Sequence, residues 1–234
     1  YGDVVDMRFA SRHVYLLSGP ADIEAMLVTQ HRKFVKGTAL QATRRVLGQG
    51  LLTSEGDFHL RQRRLIQPIF HRQRITGYGE SMVQAAAALG ARWIDGQVLD
   101  MHAAMMGLTL AIVGKTLFGT DVETEADEIG QAVNGLLASF FQINGPFGRW
   151  IEAFDLPPAR RARAGQARLN DTMHRMITEH RAQGDRGDLL SRLRAAEDDD
   201  GGARMSDEQV RDEAMTLFLA GHETTANARS WTWH

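Results

Sequence analysis

The sequence predicts a mainly α fold with a small β-sheet corner, and three observations carry that reading. Two short runs rich in Val and aromatic residues flank the polar turn Ala10-Ser11-Arg12 near the start. Over most of the remaining chain, apolar residues recur at helical spacing. Helix-stopping clusters separate those stretches: Gly119-Thr120, Asn144-Gly145-Pro146, Leu156-Pro157-Pro158 and the acidic turn Asp198-Asp199-Asp200-Gly201-Gly202.

Taken in order, Asp3–Phe9 and His13–Leu17 read as a hairpin. Gly19-Pro20 closes the second strand, and Ala21–Gln30 carries Ile23, Met26 and Leu27 at helical spacing. Further helices are expected over Asp57–Phe70, Arg74–Trp93, Met101–Phe118, Glu123–Phe141, Ala159–Gln183, Gly187–Ala196 and from Ser206 to the end. No repeat of fixed period and no linker-like shift in composition interrupts them, so residues 1–234 read as one domain.

Hydrophobic residues make up 43% of the 234, which excludes wholesale disorder. The 27 basic and 29 acidic residues leave a net charge of −2, so there is no bulk electrostatic case for a nucleic-acid partner. Cysteine is absent, which removes disulfides, a thiolate nucleophile and cysteine-bound metal from this chain. A chain without thiols tolerates either redox environment, so the cytoplasm is only a default location. The longest mostly apolar stretch, Ala103–Gly114, is about half of the ~20 residues a spanning helix needs, so no membrane span is expected. The chain opens on Tyr and stops inside a helical pattern, and both ends read as cut.

The last helix has the best-defined start. Ser206 and Gln209 stand three apart as a capping box, with Asp207 and Glu208 at the positive end of the helix dipole. Met215–Gly221 is apolar nearly all round, the mark of a central helix. Directly after it come His222, Glu223, Thr224 and Thr225, polar side chains that need partners in a core. Ala220 and Thr224 share a face, and small Ala220 and Gly221 let a flat ligand approach the backbone. The Thr224 hydroxyl can bond back to the Ala220 carbonyl, and Glu223 can carry protons. A zinc-protease H-E-x-x-H fails because position 226 is Ala226. A plain core helix, with its Thr residues bonded to their own backbone and Glu223 paired to an Arg, is the remaining rival.

Ala220-Gly221-His222-Glu223-Thr224-Thr225 resembles the oxygen-binding motif of the central helix in the cytochrome P-450 family of haem-thiolate monooxygenases. The resemblance implies that Thr224 hydrogen-bonds iron-bound dioxygen and that Glu223 is the neighbouring acid of a proton relay. It places Ala220 and Gly221 against the haem. A second match lies in Asp57–Phe70, where His59 and Arg63 stand four apart, flanked on that face by Ile66 and Phe70. A His and an Arg at the margin of an apolar face suit an apolar ligand with carboxylates at its rim. Such a pair is common by chance, but Gly50-Leu51-Leu52-Thr53-Ser54 before it and Pro68-Ile69-Phe70-His71 after it look like the family's surroundings for this helix. In the family these two residues grip the haem propionates.

The run Asp188-Leu189-Leu190-Ser191, the acidic turn and Met205-Ser206-Asp207-Glu208 look like the family's approach to its central helix, and the hairpin looks like its first sheet. The resemblance covers essentially the whole chain and is weakest from Thr120 to Arg186, where lid helices and substrate-specific variation are expected. It implies an incomplete cytochrome P-450 fold holding haem b and iron. Such an enzyme inserts one oxygen atom of O2 into a small lipophilic substrate, with electrons from a ferredoxin or a flavoprotein reductase. Arg61 and Arg64 would face an acidic electron donor. The loops around Thr38–Leu47 and the segment Leu137–Phe154 would shape the substrate pocket.

Two features depart from the family. Its chemistry rests on a cysteine thiolate bound to the iron, and this chain has no cysteine. Its Glu-x-x-Arg helix is also missing. The chain therefore reads as the first half to two-thirds of a monooxygenase domain, inactive alone. The alternative is an inert truncated copy acting as a binding or structural module. A peroxide-driven relative is disfavoured by the Glu223-Thr224 pair. His222 is a poor substitute ligand, since it lies roughly 160° around the helix from Ala220. The arginines of Ala159–Gln183 (Arg160, Arg161, Arg163, Arg168, Arg175 and Arg181) read as a solvated face.

Overall fold

The computed structural model describes all residues except 1, 10–11, 120–131, 133–134, 137–138, 140–141, 144, 146, 186–187, 197–203 and 234. The chain divides into two compact units, Tyr1–Thr38 and Ala39–His234.

In the first unit, β1 (Val4–Phe9) and β2 (Arg12–Leu17) pair antiparallel, from Val4 opposite Leu17 to Phe9 opposite Arg12. The expected hairpin is present, although Arg12 belongs to the second strand and Ala10 and Ser11 lie outside the described residues. The Ser18 amide donates to the Asp3 carbonyl at 2.8 Å and closes the open end. Helix α1 (Pro20–Glu24) starts on proline, whose fixed φ and missing N–H suit a first turn. The expected single helix to Gln30 is divided: a π-helical turn, Ala25–Thr29, follows α1, and a 3-10 turn, His31–Lys33, comes next.

The second unit carries α3 (Arg44–Leu47), α4 (Gly56–Ile66), α5 (Arg72–Gly90), α6 (Met101–Phe118), α7 (Gly148–Ala153), α8 (Pro157–Gln183), α9 (Leu189–Ala195) and α10 (Asp207–Thr232). The short α2 (Thr38–Ala42) lies across the division between the units. Helices α2, α3 and α7 add to those expected, and most of the expected helix Glu123–Phe141 lies outside the described residues. Asp57–Phe70 is not one regular helix. It is α-helical to Ile66 and continues as a 3-10 turn, Gln67–Phe70, because Pro68 has no N–H for the α ladder.

Helix α6 has the predicted bounds because both ends are chemically marked. Asp100 accepts a hydrogen bond from the Ala103 amide at 2.9 Å, and Gly119 adopts φ +62° just past the end. By length and composition this helix could cross a membrane, with mean hydropathy 1.4. Here it packs as a core helix, with Leu110, Val113, Leu117 and Phe118 buried. Its main neighbour is α10, and α5 lies against it as well. Phe118 meets Phe218 edge to face at 5.7 Å, in a core completed by Met173 and Met176 of α8 and Leu189, Leu190 and Leu193 of α9. Buried His180 ties α8 to α9, its Nε2 lying 2.7 Å from Asp188 Oδ1 and 3.2 Å from Ser191 Oγ.

At the start of α10 the capping box is formed in full. The Gln209 amide donates to Ser206 Oγ at 3.2 Å, and the Ser206 amide donates to Gln209 Oε1 at 2.8 Å. Ser206→Ala should lower stability by about 1 kcal/mol, read as a reduced urea midpoint with an unchanged m-value.

Candidate functional site

The second half of α10 forms one wall of a cavity of about 640 Å³. Leu219, Ala220, Glu223 and Thr224 face it, as do Val46 and Leu47 from α3. Ala159, Ala162 and Gln166 of α8 complete the far side. The lining is mostly apolar carbon, which favours ligands with little polar surface. At the rim, Arg45 pairs with Glu152 of α7, and the Gln166 side-chain amide donates to the Arg45 carbonyl. Both members of the ion pair are well exposed, so it holds the rim only weakly.

The predicted back-bond in α10 is present: Thr224 Oγ1 donates to the Ala220 carbonyl at 2.6 Å. Ala220 and Thr224 share the cavity face, as their spacing requires. Gly221 faces elsewhere. A Cβ added there would lie 3.2 Å from Val113 Cγ2, so its missing side chain serves the close approach of α6 and α10. Glu223 makes no hydrogen bond or ion pair among the described residues, so the Arg partner allowed by the plain-core reading is not found there. Burial raises its pKa above 4.5, and nearby His102 opposes the shift.

His222 is fully buried and stacked on Phe218, with ring centroids 6.3 Å apart. Neither ring nitrogen has a hydrogen bond of good geometry. Burial lowers its pKa below 6.5 and His102 adds to the effect, while the Met106 carbonyl beside it acts in the opposite sense. As expected, His222 points away from the cavity wall and into the contact with α6.

His59 and Arg63 do not come together around the cavity, and neither lines it. His59 Nδ1 lies 3.1 Å from the Leu51 carbonyl oxygen and 3.4 Å from Ser54 Oγ, so it is bound to the preceding loop. Arg63 is exposed. Ile66 is buried, but Phe70 is exposed.

The donor set overturns the haem expectation for this chain. It has no cysteine to bind the iron, and among the described residues no group of three or more His, Cys, Asp or Glu could hold a metal ion. The residues present do not fit haem b, so the expected haem, iron and metal binding and the O2-dependent oxygen insertion are corrected. The partners derived from that chemistry fall with it: the lipophilic substrate of oxidation, O2 and the ferredoxin or flavoprotein reductase at Arg61 and Arg64. The arginines of α8 are partly engaged, Arg160 and Arg163 with Asp155 and Arg181 with Asp207.

One set of residues escaped the sequence reading. Arg211, Asp212 and Glu213, early in α10, hold the loop that leads from α3 to α4. The Gln49 amide donates to Asp212 Oδ2 at 2.7 Å and the Leu51 amide to Glu213 Oε2 at 2.8 Å. Two adjacent acids followed by a mostly apolar helical run, with Gly48 and Gly50 far upstream, were the available signal.

The family model for cytochrome P450 matches residues 1–234. The chain is 38% identical over 237 aligned positions to cyclooctatin synthase of Streptomyces melanosporofaciens, with 100% of this chain and 51% of that protein covered. It is 34% identical to pentalenene oxygenase of Streptomyces avermitilis, covering 100% of this chain and 52% of the relative. Cyclooctat-9-en-7-ol 5-monooxygenase of Streptomyces melanosporofaciens is 33% identical, with 100% and 51% covered. The chain thus spans about half the length of the curated relatives it matches. A match along all of its residues, with the predicted central helix and hairpin in place, makes this chain a member of the cytochrome P450 family.

Proposed function

We propose that the chain, as it stands, is a binding module without oxidation chemistry of its own, holding a small apolar molecule in the cavity beside α10. The cavity carries this reading. Its volume of about 640 Å³ falls within the usual range for small-molecule sites, and its walls are largely hydrocarbon. The family's oxidation chemistry depends on a thiolate, and this sequence supplies none. Ala220, Glu223 and Thr224 then act as wall residues. Their expected roles toward a reacting oxygen have no reaction centre here. Two relatives are named for acting on pentalenene and cyclooctat-9-en-7-ol, which supports a carbon-rich ligand for this chain as well.

Glu223 is one of the polar residues of the wall, with Thr216 and Thr224 beside it on α10. Its carboxyl offers oxygen acceptors to a ligand donor, and burial raises its pKa above 4.5 while His102 opposes the shift.

Titration with the uncharged fluorophore N-phenylnaphthylamine tests the reading. Wild-type protein should bind it with a blue-shifted emission and a saturable Kd. Ala220→Phe, which fills the cavity from an exposed helix position, should weaken binding by tenfold or more, on the order of the 1.4 kcal/mol that separates decades of affinity. Equal binding by wild type and Ala220→Phe would place the probe elsewhere and defeat the proposal.

A further inference from the structure

The cavity wall opposite α10 is held partly by its own turn bonds and partly by α10. It includes Val46 and Leu47 at the end of α3 and Leu52 five residues later. Between them the chain runs through the turn Gly48-Gln49-Gly50-Leu51, where the Gly48 amide donates to the Arg44 carbonyl at 2.9 Å, the Thr53 amide to the Gly50 carbonyl at 3.0 Å and Thr53 Oγ1 to the Gly48 carbonyl at 2.6 Å. Three further backbone groups, the Val46 carbonyl and the Gln49 and Leu51 amides, are bound by three consecutive side chains of α10. Arg211 Nη2 donates to the Val46 carbonyl at 3.3 Å. Asp212 Oδ2 accepts from the Gln49 amide at 2.7 Å, and Glu213 Oε2 from the Leu51 amide at 2.8 Å. Arg211 also donates to Asp212 Oδ1 at 2.6 Å and to the Asn170 side chain of α8, so the anchor is braced from a second helix.

The approach of loop and helix is close enough to dictate residue type. Gly48 has φ +63°, and a Cβ there would lie 2.1 Å from the Asp212 carboxyl. A Cβ on Gly50 would lie 2.3 Å from Thr216 Oγ1 and 2.7 Å from the Asp212 carbonyl. Asp212 and Glu213 are almost fully buried. Buried carboxylates are costly unless donors surround them, and here the loop's own amides are among those donors. None of Arg211, Asp212 or Glu213 lines the cavity.

We propose that Arg211, Asp212 and Glu213 are the positioning residues of the cavity: by binding Val46, Gln49 and Leu51 through their backbone groups, they hold the 46–52 segment as its wall and set ligand affinity without touching the ligand. This rests on the reading of the cavity as a binding site. The two walls then belong to one mechanical unit, because the helix that lines one side also anchors the other. The Leu51 carbonyl bound to His59 carries the same anchorage onward to α4.

The test pairs amide hydrogen exchange with the N-phenylnaphthylamine titration. In Glu213→Leu the Leu51 amide loses its acceptor. It should exchange about 10–100-fold faster, as expected for a lost hydrogen bond to a charged group, and the probe Kd should rise about tenfold. Glu213→Gln keeps an acceptor oxygen and should restore both values to within about threefold of wild type. Arg211→Met serves as a second variant that leaves the buried carboxylates in place, and should raise Kd while the Leu110 and Val113 amides of α6 keep their protection. If wild type binds no probe, the binding reading itself fails. If wild type binds but Glu213→Leu or Arg211→Met binds equally well, or if Glu213→Gln is no better than Glu213→Leu, the positioning role is overturned and the binding reading stands.

Discussion

Phe218→Ala is expected to lower the unfolding free energy by about 3–5 kcal/mol, a large fraction of the ~5–15 kcal/mol typical of a whole domain. Phe218 is buried at the centre of the α6–α10 contact, edge-on to Phe118 and stacked against His222. Removing its ring takes away both aromatic contacts and opens a void between two long helices. It also strips one face from a buried imidazole that has no hydrogen bond of good geometry. Phe218→Leu, which refills much of the volume, should lose clearly less. Urea unfolding followed by circular dichroism reads both variants. A loss below ~1 kcal/mol for Phe218→Ala would mean that this contact is not the centre of the core.

Acidification should destabilise the chain through His222. Its pKa is lowered in the folded state, above all by burial, so below pH 6.5 the unfolded chain binds more protons than the folded one. Stability is therefore highest above 6.5 and falls as the pH drops below it, with a limiting slope for one proton of about 1.4 kcal/mol per pH unit. The fall continues until the folded-state pKa is reached. Glu223 acts in the opposite sense. Its folded pKa is raised, so its contribution diminishes as the pH climbs above 4.5, and its partial exposure keeps that contribution small. Comparing wild type with His222→Phe by thermal melts between pH 7.5 and pH 5 (a range of about 2.5 units around the imidazole value) isolates the first effect. The variant's midpoint should vary much less over that window, and parallel curves would show that other groups set the acid sensitivity.

The parts of this fold that the sequence made legible are those fixed by short-range chemistry. Asp100 and Gly119 mark both ends of α6, and Ser206 with Gln209 marks the start of α10. The Thr224 back-bond joins residues one helical turn apart and follows from helix geometry alone. The hairpin was visible in two short strands and a turn. The site was only partly legible, because its other wall is held by bonds between residues 162 and 163 positions apart, which no local pattern encodes. His59 and Arg63 show the converse. Their spacing on one helical face is real, yet the loop carbonyl at Leu51 takes the imidazole, and Arg63 remains in solvent. A motif fixes which side chains can meet, whereas the surrounding chain decides what they meet.

Where α6 crosses α10, the absent side chain at Gly221 and the methyl of Val113 divide one small allotment of space between them. Neither position can change size independently. In descendants of this sequence a bulkier residue at 221 would have to be accompanied by a slimmer one at 113, so the two sites should co-vary over evolutionary time as a matched pair.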